Sequence, residues 1–134
     1  METQNQYPQK DYSEMISLAH QVIDLPVRKA QMLLKDLDLC TITYTWNDVS
    51  QITLEVLFKT STLTCLFNQN DICEAVYLFL TDNKDLMKYI GHCVKTYTYD
   101  FLLDGWTTDK CHISICRSEN QGCFLLILPL KKIL

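Results

Sequence analysis

The chain has 134 residues, which is one domain's worth at roughly 100–200 residues per domain. Its 48% hydrophobic and 21% charged content suits a globular core, and burial of roughly two-thirds of the unfolded surface lets such a chain fold without metals or disulfides. Twelve Lys and Arg against sixteen Asp and Glu leave a net charge of −4, which argues against direct nucleic-acid binding, and no apolar run reaches the roughly 18 residues of a membrane span.

Met1 to Lys10 is polar and Gln-rich, with no apolar stretch of the signal-peptide kind. It reads as a flexible N-terminal arm (1–10) ahead of a single α+β domain (11–134). Tyr12, Met15, Ile16, Ala19, Val22 and Ile23 recur with a helical period, and Asp11 followed by Glu14 has the form of a capping box. Pro26 breaks that run and suits the first position of a second helix, whose stripe is Val27, Ala30, Leu33, Leu34 and Leu37.

The period then changes to two. Cys40, Ile42, Tyr44 and Trp46 alternate with Thr41, Thr43 and Thr45, which predicts a strand with one dry face and one threonine-lined face. Asn47 and Asp48 supply a turn. Ile52, Leu54, Val56 and Phe58 predict a second strand, and Leu63, Cys65 and Phe67 a third, forming an antiparallel meander. Residues 72–80 fit either a helical stripe or a strand, and the β-forming run from Ala75 to Leu80 favours the strand. A helix is predicted over 83–97, burying Leu86, Met87, Ile90, Val94 and Tyr97, with Gly91 marking close packing on the sheet. Cys111 to Cys116 and Cys123 to Leu128 predict two further strands. The second lacks alternation, as a strand covered on both faces would. The expected fold is therefore α+β: two N-terminal helices, an antiparallel sheet of five or six strands, and one major helix packed across it.

Seven cysteines, an odd number, fall mostly in phase with apolar residues and read as reduced core residues of a cytoplasmic protein. The alternative is a zinc site from Cys111, His112, Cys116 and Cys123. Their C-x4-C-x6-C spacing departs from the usual zinc pattern, and strand alternation sends Cys111 and Cys116 to opposite faces. No cofactor or metal is expected.

The histidines suggest no catalytic set. His20 reads as a surface residue, and adjacent His92 and Cys93 on a helix point about 100° apart, which separates a would-be nucleophile from its base. Asp100, Asp104 and Asp109 around Trp106 read as a solvated, turn-capping loop. With no nucleophile elbow and no phosphate loop, the expectation is a non-enzymatic protein that binds another protein, client or target. The expected partner-binding residues are Met15, Ile16, Ala19, Val22 and Ile23 of the first helix, with Trp46 and Trp106. A homodimer remains open.

Ile23-Asp-Leu-Pro-Val27, Leu39-Cys-Thr-Ile-Thr-Tyr44, Ile52-Thr-Leu-Glu-Val-Leu57, Leu63-Thr-Cys-Leu-Phe67 and Phe124–Leu128 with Pro129-Leu130 follow one another in an order that resembles the class I type III secretion chaperones. The pattern covers roughly two-thirds of the chain. It departs from the family in a second helix before the sheet, a longer middle segment over 72–97 and the lack of a C-terminal helix. The resemblance implies a small acidic cytoplasmic protein that holds a client. The alternative is a small inhibitor or immunity protein that blocks a toxin, nuclease or polymerase with an acidic face.

Overall fold

The structure is a computed structural model and describes residues 11–120 and 122–133. The arm expected over residues 1–10 lies outside them.

In chain order the elements are α1 (Tyr12–Val22), α2 (Val27–Leu34), β1 (Leu39–Trp46), β2 (Val49–Leu57), β3 (Ser61–Phe67) and β4 (Cys73–Leu80). There follow α3 (Asn83–Thr96), β5 (Thr98–Asp100), β6 (Gly105–Thr107), β7 (Cys111–Ser118), β8 (Gly122–Pro129) and α4 (Leu130–Ile133). The strands form one antiparallel eight-stranded sheet, ordered β1-β2-β3-β4-β8-β7-β6-β5. The expectation of two N-terminal helices, five or six strands and one major helix is thus corrected, among the described residues, to eight strands and four helices. The additional strands, β5 and β6, have three residues each and are too short to show alternation.

Local chemistry explains the element ends. Asp11 accepts from the Glu14 N–H at 2.9 Å while Glu14 reaches back to the Asp11 N–H at 3.2 Å, closing the capping box of α1. Asp82 caps α3 by accepting from the Lys84 N–H at 2.9 Å. Asn47 and Asp48, with φ of 49° and 67°, make the two-residue turn that matches the twist of β1 and β2. The Leu25-Pro26 step is tied to the start of β4. Asp24 donates to the Cys73 carbonyl at 3.0 Å, and Cys73 donates to the Leu25 carbonyl at 2.9 Å.

Register shows which side chains share a face, since directly paired residues project to the same side. Leu54, Cys65, Val76, Ile127, Ile113 and Trp106 form one row across the sheet, and Val56, Leu63, Leu78, Leu125 and Ile115 the next. These rows merge with Met15, Ile16, Ala19 and Val22 of α1, Leu34 of α2 and Tyr89 and Cys93 of α3 into a single core. Helices α1, α2 and α3 therefore cover one face. Of the expected face of α3, Leu86, Ile90 and Tyr97 pack against the core, whereas Met87 and Val94 are exposed and Tyr89 and Cys93 are buried instead. A Cβ on Gly91 would meet nothing within 4 Å, so that glycine marks no close packing.

A candidate protein-binding surface

The alternate positions of the same strands project to the other side of the sheet. Ile42, Thr53, Leu66 and Ala75 make one row there; Cys40, Glu55, Thr64, Tyr77, Leu126 and Ser114 make the next; Leu57, Thr62, Phe79, Phe124 and Cys116 make a third. The larger apolar residues of these rows are half-buried rather than buried. At the centre of this face three rings touch: Tyr77 and Phe79 are stacked with centroids 5.9 Å apart, and Phe124 lies 5.7 and 5.2 Å from them. Glu55 is the sole charged side chain in the three rows. Two polar groups at these alternate positions, Thr64 Oγ1 and the ring nitrogens of His112, are buried without a hydrogen-bond partner.

This face accounts for the two strands whose sequences lack alternation. Runs without alternation at Ala75–Leu80 and Cys123–Leu128 arise because both faces are apolar, although helices cover one of them. β8 is central in the sheet, yet Phe124, Leu126 and Leu128 remain half-buried. Tyr77, Phe79, Phe124 and Leu126 were therefore missed as surface residues. The signal that points to them is an excess of two-sided apolar strand over the few helices available to cover it.

β1 is corrected in the same way. The apolar side of Cys40, Ile42, Tyr44 and Trp46 belongs to the uncovered face. Thr41 instead pairs with core-facing Leu54, and Gln31 of α2 donates to its hydroxyl at 3.5 Å. Trp46 is 79% exposed and Tyr44 57%.

The expected partner-binding helix residues lie elsewhere. Met15, Ile16, Ala19, Val22 and Ile23 are all at 0% exposure, packed in the core, so they present no surface to a partner. Their apolar stripe fits the home sheet, as most amphipathic helices do. Trp106 is also buried, edge-on to Tyr99 at 5.4 Å. Of the expected set, Trp46 alone is exposed. Phe101 and Leu102, at the tip between β5 and β6, are also strongly exposed.

The titratable groups serve structure. His20 is not a free surface residue: its Nε2 lies 2.9 Å from Thr108 Oγ1, Lys110 donates to its carbonyl at 2.8 Å, and Tyr97 lies against its ring. Burial holds its pKa below the usual value. His92 lies between Tyr12 and Tyr97. Burial pushes the thiols of Cys93 and Cys111 up to about 11 and about 12, away from the thiolate range of a nucleophile. The Asp100 carboxylate accepts from the Leu102 and Leu103 N–H groups, and Asp104 accepts from the Tyr99 hydroxyl. These carboxylates hold the turn between β5 and β6.

The seven cysteines are free; Cys40 is exposed and Cys116 half-buried, while Cys65, Cys73, Cys93, Cys111 and Cys123 are buried. Register places Cys111 and Cys123 on the helix-covered side and His112 and Cys116 on the other, so the sheet separates the residues considered for zinc. Among the described residues no group of three or more His, Cys, Asp and Glu is placed to hold a metal, and no helix is long and apolar enough to cross a membrane. No protein-family model, no curated protein and no solved structure matches the chain.

Proposed function

We propose that this chain is a non-enzymatic protein-binding module that holds a partner protein against the uncovered face of its sheet. The observation that supports the reading is the apolar, aromatic and nearly uncharged character of that face, with Tyr77, Phe79 and Phe124 in contact at its centre. A contiguous apolar patch of this kind marks an interaction surface more often than chance exposure does. The partner is an apolar segment of another protein, as in the client-holding role of the secretion chaperones that the strand order resembles. Aromatic anchors supply contact area at low entropic cost, and the partner's own polar groups lie at the rim.

A photo-crosslinking residue placed at Phe79 tests this in the cells that make the protein, against the same probe at exposed Lys95. The expected result is a discrete crosslinked partner from position 79, lost when Leu126→Lys is added. Equal, diffuse crosslinking from both positions would count against the proposal.

A further inference from the structure

We infer that the free edge of β1 pairs with β1 of a second copy of this chain, giving a twofold dimer with one continuous sheet. This edge is a different surface from the uncovered face and does not depend on the reading proposed above.

Among the described residues β1 is the outer strand at its end of the sheet, and it is eight residues long. Proteins blunt such edges with lysine, proline, a bulge or a very short strand. Leu39 to Trp46 contains no charged residue and no proline, and its register with β2 runs from Leu39↔Val56 to Trp46↔Val49 without a shift. The opposite edge, β5, has only three residues. The long edge is thus the unprotected one.

Hydrogen-bond parity fixes which groups are free. In a two-residue hairpin the closing pair, Trp46 and Val49, exchanges both main-chain bonds, so Ile42 and Tyr44 also bond inward to β2. The N–H and C=O groups of Thr41, Thr43 and Thr45 and the C=O of Leu39 then point out of the sheet, while the Leu39 N–H is taken by the Leu37 carbonyl at 2.8 Å. The short hydroxyl contact between Thr45 and Ser50, 3.3 Å, agrees with a close, non-hydrogen-bonded pair at that position.

The segment is self-complementary in antiparallel register. Centred on Ile42, it sets Ile42 against Ile42 of the second copy, Thr41 against Thr43, Cys40 against Tyr44 and Leu39 against Thr45. The outward groups then meet in about six main-chain hydrogen bonds. Thr41 meets Thr43 on one side, flanked by Leu39 against Thr45, and apolar meets apolar on the other; the threonine and apolar pairs are favourable cross-strand pairs. Charge favours this register over the one centred on Thr43, which would bring Asp38 up to the turn that carries Asp48 of the other copy. The uncovered faces of the two copies become continuous. On the helix side, the groove between α2 and β1, lined by Gln31, Met32, Lys35, Leu37 and Leu39, runs beside the join.

Sedimentation equilibrium and disulfide trapping of the full chain test the dimer. In a Cys40→Ser background, Ile42→Cys forms an intermolecular disulfide readily, because non-hydrogen-bonded antiparallel pairs bring Cα atoms to about 4.5 Å. Thr45→Cys crosslinks at least tenfold more slowly. Thr43→Pro removes an outward N–H that β2 does not use, and Thr43→Lys places a charge at the join. Both variants are expected to sediment as monomers with unchanged far-ultraviolet circular dichroism, and Thr43→Lys decides the matter should proline disturb the strand. A monomeric wild-type chain overturns the inference. So does a dimer that survives Thr43→Lys, or trapping at Thr45→Cys as fast as at Ile42→Cys.

Discussion

His20 ties α1 to the turn before β7 through Thr108 and Lys110, a link over 88 and 90 residues of sequence. Burial lowers its pKa from the usual 6.5, so the unfolded chain binds the proton more readily than the folded one. This contribution to stability is complete above pH 6.5 and is lost as pH falls through the depressed folded value. Thermal melts between pH 7.5 and 5 should therefore fall less steeply for His20→Gln than for the wild-type chain. A second residue-scale constraint is Gly105. A Cβ there would lie 2.4 Å from the Ile113 carbonyl oxygen and 2.6 Å from His112 Nε2. Gly105→Ala should destabilise by about 2 kcal/mol or more in urea titration, since the backbone of β7 cannot yield as a flexible side chain would.

Among the elements, α3 holds the opposite kind of glycine. Gly91 sits inside the helix with open space where a Cβ would go, so Gly91→Ala should stabilise the chain by about 1 kcal/mol. A fall in the urea midpoint would show that Gly91 is packed after all. Strand β8 gives the sharpest contrast between the two faces. Leu125 is fully buried under the helices, whereas its neighbour Leu126 projects to the uncovered side. Leu125→Lys should cost about 4 kcal/mol or more, while Leu126→Lys should stay within about 1 kcal/mol, as monitored by circular dichroism. Legibility followed the same division. The alternation from Ile52 to Phe58 and from Leu63 to Phe67 marked β2 and β3, because one face there is apolar and the other mostly polar. β5 and β6 are illegible because three residues carry no period, and the α3 stripe holds at Leu86, Ile90 and Tyr97 but not at Met87 and Val94, because Tyr89 and Cys93 fill the space beneath the helix.

For the whole molecule, layer arithmetic carried information that local pattern did not. The reading of β8 as doubly covered assumed enough helix for two faces. The helices pack together on one, with α1 and α3 in contact and sharing the core with β4 and β8. The stripe of α1 suggests a partner surface because an amphipathic stripe is the easiest apolar surface to see in a sequence. That stripe is consumed by folding, and the surplus apolar surface lies on strands whose outward positions look like core. The native thiols report this distribution directly, since Cys116 lies on the uncovered face and Cys93 beneath the helices. The decisive measurement is mass-spectrometric mapping of thiol alkylation in intact cells and again on the purified chain. Cys116 is expected to be protected in cells and to react after purification, while Cys93 stays slow in both. Equal reactivity of Cys116 in cells and in isolation would contradict a partner held on that face.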